Sequence, residues 1–66
     1  MLNKDAMREL RNERQMSRAE LAQKLDRHPL TIRRWETGRV QPNSHTVVVI
    51  AEVLGCDVED LVAVTE

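Results

Sequence analysis

The amino-acid sequence predicts an all-α fold of five short helices in a single domain over residues 1–66. Apolar residues recur at three- and four-residue spacing along most of the chain, as on the buried face of a helix. Side chains that cap helix N-termini precede these stretches, and glycines follow two of them. The chain has 66 residues, which is near the lower limit for an unaided hydrophobic core. One small helical core is therefore expected.

The first helix is predicted from about Asn3 to Arg14. Asn3 is a suitable capping residue because its side chain can accept from the first free backbone N–H groups. The charged residues of this segment, including Arg11, are expected on the outer faces of the helix. The stripe that should face the core consists of Ala6, Met7 and Leu10.

The second helix is predicted to begin at Ser17, which can form a capping box with Glu20. Asp26 and Arg27 interrupt its apolar pattern and predict a tight turn. The apolar stripe itself consists of Leu21, Ala22 and Leu25.

Pro29 predicts the start of a third helix, because proline suits the first turn of a helix and no later one. Ile32 and Trp35 continue the buried face, and Gly38 can end the helix in a left-handed conformation. Residues 17–38 therefore predict two short helices with a tight turn, the second helix carrying arginines on its outward side.

A fourth helix is predicted between a cap at Asn43 or Ser44 and a stop at Gly55. The β-branched run of residues 46–50 favours a strand instead, but tertiary packing often overrides propensity. Its inner face should consist of Val47, Ile50, Ala51 and Leu54. A short fifth helix is predicted after Asp57, with Val58 and Leu61 closing the core, and residues 62–66 either extend it or fray.

Charge is divided unevenly along the chain, although the net charge is only −1. All ten basic residues lie in residues 1–41 with six acidic ones, a net charge of +4, whereas residues 42–66 hold five acidic residues and no basic one. One half can therefore face phosphate while the other faces away. The alternative is solvated surface charge with an accidental division.

Residues 17–38 resemble the helix-turn-helix of the phage-repressor and Cro-like (xenobiotic-response-element) transcription regulators, and the match continues to Pro42. The resemblance implies a five-helix lambda-repressor-like fold that binds double-stranded DNA, and it extends to the first helix and the last two. The sequence departs from the family at Asp26, where glycine is usual, and at Arg27, where an apolar residue is usual. The matching residues are Leu21, Ala22, Leu25, Ile32, Trp35, the run Trp-Glu-Thr-Gly-Arg at 35–39, and Pro42.

A helix that enters the major groove contacts bases through its N-terminal part and its exposed face. Arginine can donate two hydrogen bonds to guanine, whereas leucine and proline can only contact a thymine methyl group. The alternative is an ordinary solvated face. The predicted base-reading residues are His28, Pro29, Leu30, Arg33 and Arg34.

Phosphate contacts are expected from both ends of the motif. The resemblance places Arg18 at the DNA backbone, where the N-terminus of the second helix also favours an anion. It places Arg39, in the loop after the third helix, there as well. Asn43 is a third candidate, with helix capping as the alternative.

An excess of valine predicts a contact surface in the C-terminal half. The fourth helix carries valines beyond those its core needs, and Val49 with Val58 or Val62 can form a self-complementary patch in a homodimer. The alternatives are that these valines thicken the monomer's core or bind a different protein.

The predicted function is a dimeric, sequence-specific transcriptional regulator, a repressor or a phage- or plasmid-type control protein. The alternative is a protein-interaction module, such as an antitoxin or a coactivator-like adaptor, with DNA contact secondary. We expect no enzyme, cofactor, small-molecule substrate, metal site or membrane contact. His28, His45 and Cys56 match no zinc-binding spacing. One cysteine allows no internal disulfide, which favours the cytoplasm.

Overall fold

Five helices make up the architecture, as the sequence predicts, in a computed structural model that describes residues 2–62. Helix α2 packs on α3, α1 packs on α3 and α5, and α4 packs on α2 and α5. No helix among the described residues is long and apolar enough to cross a membrane. The bounds are Lys4–Glu13 (α1), Arg18–Leu25 (α2), Pro29–Glu36 (α3), Ser44–Leu54 (α4) and Val58–Leu61 (α5).

Helices α1 and α2 begin directly after the predicted capping residues. Asn3 Oδ1 accepts from the N–H groups of Asp5 and Ala6 at 3.1 and 3.2 Å. Ser17 Oγ accepts from the N–H of Glu20 at 3.0 Å, and Glu20 Oε1 accepts from the N–H of Ser17 at 3.3 Å. Side-chain acceptors therefore satisfy backbone donors that a helix start would otherwise leave unpaired.

The C-termini of α1 to α4 share one closing geometry. A residue with positive φ follows each helix, namely Gln15 (53°), Asp26 (56°), Gly38 (79°) and Gly55 (69°). The next amide in each case donates to the carbonyl five residues earlier, at 2.8–3.1 Å, as in a Schellman motif. The predicted stops at the two glycines are confirmed. Glutamine and aspartate hold this conformation at a conformational cost that glycine avoids.

Helix α4 forms despite its β-branched run. Asn43 Oδ1 accepts from the N–H of Thr46 at 2.8 Å, which settles the choice of cap, and Gly55 ends the helix. The predicted inner face is buried throughout. The core as a whole consists of Leu2, Met7, Leu21, Ala22, Ile32, Trp35, Val47, Ile50, Ala51, Leu54 and Leu61.

Helix α5 differs from the prediction in two respects. Val58 does not close the core but is exposed, because a single helical turn directs only its last residue, Leu61, inward. The helix does not continue past Leu61, since Val62 is extended and pairs with Leu2 in an antiparallel bridge. The rest of the predicted tail, residues 63–66, lies outside the described residues.

Backbone hydrogen bonds join the two ends of the described chain. The N–H of Asn3 donates to the carbonyl of Leu61 at 2.7 Å, beside the bridge between Leu2 and Val62. The N–H of Leu2 donates to Gln41 Oε1 at 3.2 Å, so the loop after α3 is attached at the same place. The side chain of Leu2 is buried in the core, a position that the sequence analysis did not assign.

Candidate nucleic-acid interface

The exposed face of α3 carries the residues predicted to read bases. Leu30, Arg33 and Arg34 line a shallow depression with Thr37 and Arg39 from the turn that follows. Leu30 and Arg34 lie one helical turn apart, so their side chains are neighbours on one face. Leu30 is 43% exposed, which leaves its methyl groups open to contact from outside. One predicted phosphate-binding residue therefore lies beside three predicted base-reading residues.

The turn after α3 places Arg39 next to the helix. Gly38 takes the left-handed conformation, and the N–H of Arg39 donates to the carbonyl of Arg34 at 2.9 Å. Thr37 Oγ1 donates to the carbonyl of Arg33 at 2.9 Å, which further satisfies the last turn. Because the chain folds back here, the arginine after the turn joins the arginines of the helix.

Positive charge in this depression is uncompensated. Within residues 2–62, Arg33, Arg34 and Arg39 form no salt bridge. All three are exposed, so each guanidinium retains its hydrogen-bond donors for a partner outside the chain. Three cations at one concave surface produce a local potential that attracts an anionic ligand.

His28 and Pro29 occupy the opposite end of the same helix. His28 is the N-cap residue of α3, and its Nδ1 accepts from the N–H of Leu30 at 3.1 Å. Pro29 is the first helical residue, as predicted. Both side chains are exposed, so the predicted base-reading residues extend from the N-cap of α3 to Arg34.

Glu36, the last residue of α3, forms a buried ion cluster that the sequence analysis missed. Its carboxylate is 1% exposed and accepts from Arg11 at 2.7 and 3.1 Å. Arg11 also donates to the carbonyl of Met16 at 2.7 Å. The expectation that Arg11 lies on an outer face is therefore wrong. Arg11 follows buried Met7 by four residues, and Glu36 follows buried Ile32 by four. Opposite charges at two inner-face positions are the signal that would have identified the pair.

Arg18 is the third member of this cluster. Its Nε donates to Glu36 Oε1 at 3.0 Å, while its side chain is 44% exposed. One edge of the guanidinium is thus fixed to α3 and the rest faces outward at the start of α2. The cluster holds two positive charges and one negative charge, so a single positive charge remains for an external anion.

Asn43, the third predicted phosphate ligand, lies at the N-terminus of α4. Its side-chain oxygen, Oδ1, already accepts from the N–H of Thr46 as the cap of α4. Its amide group retains two donors, which is the part of the side chain that a phosphate would use.

The predicted contact valines lie on two separate surfaces. Val58 and Val62 line a largely apolar groove together with Val48 and the loop residues around Pro42. Val49 lies instead in a smaller depression, which also includes Leu25, Arg27, Trp35, His45 and Thr46. The structure therefore brings Val58 and Val62 together but not Val49 with either of them.

No group of three or more side chains that could hold a metal ion lies among residues 2–62. His28 caps α3, His45 belongs to α4, and Cys56 follows α4. Burial raises the pKa of the Cys56 thiol, with nearby Arg14 opposing the shift, so the thiol stays protonated at neutral pH. A protonated thiol is a poor metal ligand and a poor nucleophile.

Comparisons with known proteins find a family match and similar solved structures. A family model described as helix-turn-helix matches residues 7–61. Crystal structures of apo-HppE and of iron(II) HppE in complex with substrate are each similar to the chain, with 28% sequence identity and a TM-score of 0.86. The matches cover 91% of this chain but only 34% and 35% of the HppE chains, so this chain spans about a third of their length. No curated protein matches the sequence significantly.

Proposed function

Because the chain belongs to the helix-turn-helix family of Cro/C1-type DNA-binding transcriptional regulators, we propose that it binds a specific double-stranded DNA sequence as a repressor or phage- or plasmid-type control protein. Its single cysteine fits work in the cytoplasm. In this role the chain binds DNA and catalyses no reaction.

The observation that carries the proposal is the uncompensated positive surface of α3. Arg33, Arg34 and Arg39 lie around one depression without an acidic partner among residues 2–62, and Leu30 is exposed beside them. With α3 in the major groove, Arg33 or Arg34 would donate to guanine O6 and N7, and Leu30 would contact a thymine methyl group.

Phosphate contacts in this proposal come from both ends of the motif. Arg18 would bind through the guanidinium edge that Glu36 does not occupy. Arg39 would bind from the turn after α3, and Asn43 would bind through its amide group. These contacts set the position of α3 on the duplex, and the bases then determine the sequence preference.

Separate substitutions of Arg34 and Arg39 test the proposal, because the two variants should lose DNA affinity in different ways. Arg34→Ala is expected to lose about 1–3 kcal/mol on a site selected from a random DNA pool and far less on random DNA. Arg39→Ala should weaken both complexes alike and reduce the slope of log affinity against log salt by about one. Fluorescence anisotropy at several salt concentrations measures the affinity of each variant for selected and random DNA and the salt dependence of that affinity.

Arg8→Ala is the matched control, since it removes the same charge from an exposed ion pair with Asp5 on α1. It should change affinity little. Equal losses for Arg34→Ala on selected and random DNA would remove Arg34 from the base-reading residues. If the parent protein recovers no preferred sequence from the pool, the proposed function is wrong.

We further propose that the regulator is a homodimer and that the apolar groove of Val48, Val58 and Val62 forms the centre of its interface. A single domain of this size buries too little DNA surface for high specificity, so two copies on a palindromic site are expected. A two-fold interface needs a patch that meets itself, and exposed apolar residues on α4 and α5 offer one.

Val58→Asp should abolish this dimer, because two buried carboxylates would face each other across the two-fold axis. The variant is expected to sediment as a monomer and to bind a palindromic site more weakly, with its helical circular dichroism unchanged. Val49→Asp, made in parallel, shows whether the interface extends to the second depression. A folded Val58→Asp variant that binds the palindrome like the parent would contradict the proposed interface. A parent protein that binds a protein partner through this groove, and DNA only weakly, would favour the second candidate function, a protein-interaction module.

A further inference from the structure

The small depression that includes Val49, here called the Trp35 depression, has an apolar interior and a polar rim. Trp35 is 4% exposed and lies at its floor, while Leu25 and Val49 are half-buried and form its walls. Arg27 and His45 are exposed at its rim. The depression has a volume of about 200 Å³. It shares no lining residue with the arginine surface of α3 or with the valine groove, so neither of the contacts proposed above occupies it.

The rim of the Trp35 depression carries a positive charge without a partner. Within residues 2–62, Arg27 forms no salt bridge, and no acidic residue lines the depression. A guanidinium has planar donors that match the two oxygens of a carboxylate. The Thr46 hydroxyl and the His45 ring lie at the same depression, and each has a further hydrogen-bond donor. One arginine compensates one negative charge, so the rim favours a monoanionic carboxylate over a doubly charged phosphate.

The interior of the Trp35 depression has the size of a single aromatic ring. An apolar cavity of about 150 Å³ can bind benzene, whereas pockets for drug-sized ligands begin near about 300 Å³. A volume of about 200 Å³ therefore accommodates one ring with a short substituent. Such a ring can pack on the indole of Trp35 and cover the half-buried side chains of Leu25 and Val49, which removes apolar surface from water.

From this combination we infer that the Trp35 depression binds a small aromatic monocarboxylate, with the ring against Trp35 and the carboxylate on Arg27. The inference does not rest on the proposed function, because no residue predicted to contact DNA lines the depression. The ligand would contact α2 through Leu25, α3 through Trp35 and α4 through Val49. Because it binds the folded arrangement of three helices, it should raise the melting temperature of the domain.

Phenylacetate is the probe for this site, and Trp35 reports its binding because it is the single tryptophan of the chain. We expect a saturable change in tryptophan fluorescence with a Kd of about 1 mM, as for a ligand of about ten heavy atoms in an open site. Phenylacetamide has the same shape without the charge, and acetate has the charge without the ring. Each should bind at least about 10-fold more weakly than phenylacetate. In a nuclear magnetic resonance titration, the backbone amides of Arg27, Thr46 and Val49 should shift most.

Arg27→Met tests the assignment of the carboxylate partner, because methionine keeps much of the apolar length of the side chain and removes the charge. The variant should bind phenylacetate about as weakly as the parent binds phenylacetamide. Arg8→Met is the matched control, since it removes the same charge from the exposed face of α1. It should bind phenylacetate like the parent.

Three results would overturn the inference. They are equal affinities of the parent for phenylacetate and phenylacetamide, amide shifts centred on another surface, and a folded Arg27→Met variant that binds phenylacetate like the parent. The first two need no variant, so they decide the question even if Arg27→Met does not fold. A parent protein that binds no DNA would disprove the proposed function and leave this inference standing, because the titrations contain no DNA.

Discussion

Replacement of Glu36 by alanine should lower the free energy of unfolding by about 3–5 kcal/mol, as for other buried ion pairs that lose one partner. The carboxylate is 1% exposed and accepts from both Arg11 and Arg18. Without it, the Arg11 guanidinium remains buried with only the carbonyl of Met16 as a partner. The loss is comparable to the whole stability of a domain this small. Urea unfolding followed by circular dichroism measures it.

Two further variants test whether the loss of stability comes from leaving a buried charge unpaired or from removing any carboxylate. Glu52→Ala removes an exposed acid from α4 and should change stability by less than about 0.5 kcal/mol. The double variant Arg11→Met with Glu36→Leu should recover much of the loss, because apolar residues of similar volume often replace a buried pair without penalty. A Glu36→Ala protein as stable as the parent would mean that the cluster is open to water.

Trp35→Ala should cost about 3–5 kcal/mol, the usual range for truncation of a large buried side chain. Trp35 is 4% exposed, although it is the largest side chain of the core. Its removal leaves a cavity under α3, the helix that carries the proposed DNA-binding surface. We expect a variant that is mostly unfolded at physiological temperature, measured as loss of helical circular dichroism, because the chain then contains no tryptophan for fluorescence.

Leu30→Ala is the matched control for this experiment. It shortens an apolar side chain on the same helix, but at a position that is 43% exposed, so it should cost less than about 1 kcal/mol. A Trp35→Ala variant that melts within a few degrees of the parent would show that the tryptophan does not hold α3 in place.

Helix starts and ends were predictable because each depends on residues close together in sequence. Asn3 and Ser17 accept from amides two or three residues away, and Gly38 and Gly55 act through the carbonyls of their own helices. The inner face of α4 was predictable for a related reason, since helical spacing identifies a buried stripe whatever the propensity of its residues. Gln15 gave no such signal, because glutamine seldom adopts the left-handed conformation that ends α1.

The features that sequence reasoning missed depend on contacts between distant segments. Arg11 is buried only because Glu36, on another helix, supplies a carboxylate. Val58 is exposed because α5 ends after one turn, at the point where the chain pairs with Leu2. The exposure of Val58 does not follow from its neighbours in sequence, and the burial of Arg11 is indicated only when its spacing from Met7 is considered together with the spacing of Glu36 from Ile32.

In the candidate site, too, local features were predictable and contacts between distant segments were not. The outward position of Arg33 and Arg34 follows from the phase of α3, which buried Ile32 and Trp35 fix. The attachment of Arg18 to Glu36 does not follow from that phase, because it joins the start of α2 to the end of α3. Contacts with bases depend in addition on a duplex that the protein sequence does not describe, so they stay predictions.

The pairing of Leu2 with Val62 has a consequence for the order of folding. It joins residues separated by nearly the whole chain, so its closure carries the largest loop-entropy cost of any contact among residues 2–62. Helices that pack through nearer neighbours, such as α2 on α3, can form before that closure. We therefore expect the junction of the two ends to be absent from the transition state, so that weakening it accelerates unfolding and leaves the folding rate nearly unchanged. The lifetime of the folded domain, more than the speed at which it forms, would then depend on its first and last described residues.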